Sequence, residues 1–233
     1  IGSAFGSPSE YKIFVCTQSV TGTLSNPVAY SYQPVYPGLK CMRISDVNND
    51  GLKDVVIGYS DSIGIFFQNI GGTLNPMKSY FSGTGVDAIS CGDLNNDGLT
   101  DIAVGHWNTS FIRVFYQNGS GFTNNTYPKP NGGFDEIEIG DMNSDNLNDV
   151  VFVSAQSYSV HIFTQNASGM LNNYVSYLPT TPLGTFHDFA IGDLNNDGAN
   201  DLVISRGGNS PNAGLLIWFQ NTSGSLGTQL NLN

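Results

Sequence analysis

Basic residues are scarce: 8 lysines and arginines stand against 19 aspartates and glutamates, a formal net charge of −11. With no basic patch to neutralise phosphates, nucleic acid is excluded as a partner. Long apolar runs are missing too, and nothing approaches the roughly 18 consecutive apolar residues of a membrane-spanning helix. No segment reads as a signal peptide. The chain opens at Ile1 without a methionine, so a processed or truncated product is expected. Cysteine is limited to Cys16, Cys41 and Cys91, an odd number without metal-ligand spacing. They read as small buried hydrophobes, and only Cys41 and Cys91, on neighbouring repeats, could pair. Catalytic signatures are absent: there is no GxSxG, no HExxH and no Cys/His nucleophile pair, and His106, His161 and His187 are isolated.

What the chain does contain is one nine-residue stretch in four copies: DVNNDGLKD (46–54), DLNNDGLTD (93–101), DMNSDNLND (141–149) and DLNNDGAND (193–201). Twelve of the 19 acids lie here, three per copy. Each copy offers side-chain oxygens at positions 1, 3, 5 and 9: Asp46, Asn48, Asp50 and Asp54; Asp93, Asn95, Asp97 and Asp101; Asp141, Asn143, Asp145 and Asp149; Asp193, Asn195, Asp197 and Asp201. The carbonyl at position 7 adds one more, from Leu52, Leu99, Leu147 or Ala199. A hard cation such as Ca²⁺ takes six to eight oxygens in a flexible cage. About four Ca²⁺ are therefore expected, and their +8 would bring −11 to −3. Position 6 is Gly51, Gly98 or Gly198, which suits a turn requiring positive φ; Asn146, in the third copy, tolerates that region.

An EF-hand would need a bidentate Glu at position 12 and flanking helices. Position 12 is instead Ile57, Val104, Phe152 or Ile204, inside short branched apolar runs that read as buried strands. A dockerin-like loop fails on the same counts, so each loop joins two strands.

The loops recur at intervals of 47, 48 and 52 residues (46→93→141→193). A second marker keeps the same phase: TQSVTGTL at Thr17, FQNIGGTL at Phe67, YQNGSGFT at Tyr116, TQNASGML at Thr164 and FQNTSGSL at Phe219. Its Gly and Asn suit hairpin turns. One repeat is thus four strands: A into the loop, B out of it, C up to the Gln-Asn turn, D after it. Four antiparallel strands at this period predict an all-β fold, the blade of a β-propeller. Residues 1–233 read as a single propeller domain or propeller fragment. Full blades are expected at about 40–81, 86–128, 134–178 and 186–233, with most of another at 1–34. Ile1–Gln18 aligns with Val203–Gln220, so the first blade lacks strand A and its loop. That predicts an open arc, or a ring completed by further polypeptide.

The D-x-N-x-D-G-x-x-D loop between strands A and B resembles the FG-GAP and VCBS repeats of integrin α-subunit propellers, bacterial surface proteins and an integrin-like fungal lectin. The Phe-Gly and Gly-Ala-Pro pieces are reduced to Phe5-Gly6-Ser7-Pro8, which favours the looser VCBS-like group. The resemblance implies an arc of a seven-bladed ring, an extracellular (secreted or cell-surface) setting, and adhesion or glycan binding rather than catalysis. A structural subunit of a surface assembly or fibre is the alternative, and a polysaccharide-acting enzyme a third reading.

Meander topology puts the A–B loops and Gln-Asn turns on one face, here called the bottom. The B–C loops build the top, and they vary most between repeats, as binding loops do on a rigid scaffold. Tyr59, Asp61, His106, Trp107, Gln156, Tyr158 and Arg206 are the candidates there for a glycan or protein ligand, with Trp107 as a sugar platform. Sequons occur at Asn108, Asn118, Asn124, Asn166 and Asn221, to be used if the source is a eukaryote. Glu136 and Glu138 alternate on one strand A and, with Arg43 and Asp188 at equivalent positions, are expected to line a central channel.

Overall fold

The computed structural model describes residues 11–32, 38–130, 135–154, 158–180, 185–207, 213–221 and 223–232. Among these there is no helix, hence none long and apolar enough to cross a membrane. The strands form five antiparallel sheets. The first holds only β1 (Tyr11–Val15) and β2 (Val28–Tyr32). The second runs β3 (Leu39–Ser45), β4 (Asp54–Tyr59), β5 (Ser62–Phe66), β6 (Lys78–Phe81). The third runs β7 (Val86–Gly92), β8 (Asp101–His106), β9 (Phe111–Gln117), β10 (Phe122–Pro128). The fourth runs β11 (Asp135–Gly140), β12 (Asp149–Ser154), β13 (Ser159–Phe163), β14 (Val175–Tyr177). The fifth runs β15 (Thr185–Gly192), β16 (Asp201–Gly207), β17 (Gly214–Gln220), β18 (Leu226–Leu232). Each four-stranded sheet is a simple meander, the expected blade. The call of a strand B at the start of the chain falls outside the described residues.

The cores lie between blades. Strands B and C are apolar on both faces because each blade is sandwiched by two others. Val56, Ile63 and Ile65 of the second blade pack with Ile89, Ile102, Val104 and Phe115 of the third. Ala103, Ile112 and Val114 of the third pack with Ile137, Val150, Phe152 and Phe163 of the fourth. Val151, Val160 and Ile162 of the fourth pack with Phe189, Leu202, Leu216 and Trp218 of the fifth. The residue after each loop's first Asp joins the following blade: Val47, Leu94 and Met142 are buried in these same clusters. Among the described residues no strand pairing joins the fifth sheet back to the first, so the blades form an unclosed series.

All three cysteines are free thiols. Burial pushes the Cys41 and Cys91 thiols up to about 12, in line with small buried hydrophobes. Cys16 departs from that expectation: it is exposed, on the chain leaving β1.

Candidate functional site

The four loops share one hydrogen-bond pattern. The position-1 carboxylate accepts the amides of positions 5 and 6: Asp93 Oδ1 from Asp97 N at 3.2 Å and Oδ2 from Gly98 N at 2.8 Å. The position-3 Asn accepts the position-5 amide, and its own Nδ2 donates to the position-5 carboxylate, as Asn95 does to Asp97 Oδ2 at 2.9 Å. Position 6 has positive φ in every copy, Asn146 included. Position 4 is left-handed too (Asn49, Asn96, Ser144, Asn196), which explains the Asn there in three copies.

Position 9 is placed differently from positions 1, 3 and 5. Asp54, Asp101, Asp149 and Asp201 are fully buried. Each accepts two backbone amides: position 2 of its own loop, and the Gln of the Gln-Asn turn. Asp101 takes Leu94 N at 2.9 Å and Gln117 N at 2.9 Å, and Asp149 takes Met142 N and Gln165 N, both at 2.9 Å. The residue therefore bolts the A–B loop to the C–D turn, which puts both on one face. Burial pushes Asp101 and Asp149 up to about 6, opposed by these amides and reinforced by the other loop carboxylates.

The donor set is hard-cation chemistry: three carboxylates, an amide oxygen and a backbone carbonyl within nine residues. Among the described residues no Lys or Arg ion-pairs with any of the twelve aspartates. Also among them, no group of three or more His, Cys, Asp or Glu side chains stands arranged to hold a metal. The physical reason is that position 9 is turned to amides and the Asn NH₂ faces the position-5 carboxylate. The oxygens fit Ca²⁺ in kind and number, in a loop closed by its own hydrogen bonds.

On the top face, strand B runs to the residues the sequence suggests as loop. Tyr59 and His106 end β4 and β8, and Arg206 lies in β16; all three are buried, at 5%, 0% and 6% exposure. Burial withdraws them from direct ligand contact. His106 Nε2 lies 3.0 Å from Ser82 Oγ, and its ring packs on Phe111. Asp61 and Tyr158 are half-buried, and Gln156 lies outside the described residues. Trp107 is 45% exposed, with its indole edge over the backbone of Gly85.

The sequon asparagines 108, 118, 124 and 221 are exposed and Asn166 half-buried. Asn118, Asn166 and Asn221 cap their turns, each Oδ1 accepting the amide two residues on at 2.9–3.1 Å. Asn69 makes the same bond to Gly71 N without being a sequon, so the turn alone accounts for this Asn.

The bottom face has a feature that sequence reading did not signal. In the fourth blade Gly169 lies over the Asn95 carbonyl of the preceding loop, and in the fifth Gly224 lies over that of Asn143. The third blade does not close this way. Its Gln117 pairs with Phe122, whereas Gln68, Gln165 and Gln220 pair with Leu74, Leu171 and Leu226, one residue further on. The shorter turn leaves a cavity of about 350 Å³ between the second and third blades. Phe67, Tyr80 and Phe122 give it aromatic walls, and Asn48, Asn75, Lys78 and Gln117 give it polar ones. Tyr80 and Phe122 meet edge-on at 5.5 Å, and Lys78 Nζ sits 5.3 Å over the Phe67 ring.

Along the inner strands, Glu138 accepts Arg43 Nη2 at 2.6 Å and Ser90 Oγ at 3.0 Å. Glu136 is pushed up to about 7, first by the surrounding protein mass and then by Asp188 and Asp87, with Arg43 opposing. Two carboxylates of which one is ion-paired make a polar lining and not a matched acid–base pair.

The FG-GAP-like repeat matches the chain three times, over residues 46–104, 93–152 and 141–204, more than half of its length. The chain belongs to the FG-GAP-like repeat family. None of the curated proteins matches it in sequence. Among solved structures, this FG-GAP-like chain resembles an Agrocybe aegerita lectin whose structure describes recognition of non-reducing terminal N-acetylglucosamine. That likeness has 17% identity and a TM-score of 0.62, over 95% of this chain and 62% of the lectin. A Bacteroides uniformis protein provisionally named a 6-phosphogluconolactonase matches at 15% identity and a TM-score of 0.65, over 96% of this chain and 64% of that one. Both likenesses speak for the propeller fold, and the chain spans under two thirds of either protein.

Proposed function

We propose that this FG-GAP-like chain is a non-enzymatic glycan-binding module, used outside the cell for adhesion and stiffened by Ca²⁺ in its four loops. The observation that carries it is the cavity between the second and third blades. Its volume suits one or two sugar rings. Aromatic faces beside amide and ammonium groups are the pairing that recognises a sugar's apolar C–H face and its hydroxyls together. The Agrocybe lectin, a sugar binder on the same fold, supports the reading by analogy of fold. Asn48 belongs both to the first loop and to the cavity wall, so the loop's cation and the sugar site are coupled.

A glycan array on the Ca²⁺-loaded chain tests this, followed by Phe67→Ala and Trp107→Ala. Binding lost in Phe67→Ala and kept in Trp107→Ala is expected. The reverse would move the site to the top face, where Trp107 is the exposed candidate. No binding to any glycan, with the fold intact by circular dichroism, would overturn the glycan reading.

A further inference from the structure

The outer flank of the fifth blade differs, position for position, from the same flank of the blades before it. Ile63, Ile112 and Val160 open strand C of the second, third and fourth blades and are fully buried; their counterpart Leu215 is 40% exposed. Val47, Leu94 and Met142 follow the first loop Asp and are at most 2% exposed; their counterpart Leu194 is 53% exposed. Val56, Ala103 and Val151 are fully buried, while Val203 is only half-buried. On β18, Leu230 and Leu232 face the same way and are 43% and 47% exposed.

The interior junctions also show what covers such a flank. Ile139 of the fourth blade packs on Gly92 of the third, its Cγ2 2.8 Å from where a Cβ would stand. Ile191 of the fifth packs likewise on Gly140 of the fourth, at 3.3 Å. At the next position, Gly192, nothing lies within 4 Å. The polar part of the junction repeats as well: Asn148 Nδ2 donates to the Asp93 carbonyl at 3.1 Å, and Asn200 Nδ2 to the Asp141 carbonyl at 3.0 Å.

We infer that the Gly192 flank is the seat for one further blade of this repeat class. The seat reads two features of its occupant. A branched aliphatic residue two places before the first loop Asp fills the space over Gly192. An Asn at the eighth loop position donates to the Asp193 carbonyl. Leu194 then enters the newcomer's core, as Leu94 and Met142 enter theirs. A second copy of this chain fits less well. Its β3–β6 blade would arrive with β1–β2 already seated where the fifth blade's β17–β18 must stand, since β1–β2 pack against Val55, Ile57 and Phe66.

The test extends the chain after Asn233 with a copy of its own residues 129–178, which carries Ile139 and Asn148. Amide exchange at Leu215 and Ile217 should slow by roughly tenfold or more relative to the unextended chain. The melting temperature should rise. Gly192→Val should cancel both effects in the extended chain and leave the unextended chain's melting temperature unchanged. The inference is overturned if exchange at the flank stays fast in the extended chain, or if Gly192→Val has no effect there. It is also overturned if the unextended chain self-associates through this flank and Leu215→Asp disperses it, which would make a second copy the occupant.

Discussion

Arg43 on β3 and Glu138 on β11 form an ion pair, Nη2 to Oε1 at 2.6 Å, although β7 stands between their strands. Ser90 on β7 donates to the same carboxylate, so three inner strands meet at one side chain. Both ionic partners are about one-third exposed, and pairs of that kind contribute about 0.2–1 kcal/mol. Arg43→Gln should therefore cost little stability. It should raise Glu136 further above about 7, since Arg43 is the charge that lowers it. Carbon-13 titration of the Glu136 carboxyl would read this, and an unmoved midpoint would refute the coupling.

Glu136 also sets a pH trend. Unfolded, it releases its proton near 4.5; folded, it holds it until about 7. Between those values the folded state binds more protons, so this group's contribution to stability falls as pH rises through the window. Melting temperatures of Glu136→Gln against the parent, taken from pH 4.5 to 7.5, should diverge in the variant's favour toward the alkaline end. Parallel curves would contradict this.

His106 and His161 act in the opposite sense. Burial lowers both to about 4, with Arg113 and Lys129 adding to it at His106 and Lys129 at His161. Their contribution is present above the unfolded value of 6.5 and is lost as pH falls toward 4. Neither imidazole should titrate above pH 5 in a proton NMR series. A midpoint near 6.5 for either ring would show that its burial is not maintained in solution.

Calcium removal should lower the melting temperature. Three carboxylates per loop repel when no cation is bound, and binding to the folded form alone stabilises by mass action. Asp97→Ala should reduce the calorimetric stoichiometry from about four to about three, since each loop closes on its own residues. EDTA without effect, or loss of all sites together, would count against independent Ca²⁺ loops.

The two kinds of turn glycine separate crowding from conformation. Gly119 and Gly169 both have positive φ, at 79° and 73°, but a Cβ at Gly119 meets nothing within 4 Å and one at Gly169 meets the Asn95 carbonyl oxygen at 2.6 Å. Gly119→Ala should cost about 1 kcal/mol, the left-handed penalty alone. Gly169→Ala should cost about 1–3 kcal/mol more, because backbone must shift. Equal costs in urea titration would remove the distinction between open and closed junctions.

The blades were legible because the loop motif and its spacing are stated four times in the sequence. Less legible was the double use of Asp at position 9. A ligand and a bolt to the C–D turn both demand a short carboxylate, so Asp101 looks the same under either role until Gln117 N is found beside it. Tyr59, His106 and Arg206 read as loop because each follows or adjoins a glycine or a polar residue, yet strand pairing continues through them. The cavity left no compositional trace. YQNGSGFT has the same length as its sister turns, and only the register of Gln117 with Phe122 shows that its strand resumes one residue early.

Because Val47, Leu94 and Met142 each leave their own loop to enter the hydrophobic cluster of the blade that follows, the series has a polarity. A lesion in one loop should loosen its C-terminal neighbour before its N-terminal one. Unfolding would then spread along the chain like a row of leaning supports giving way in one direction.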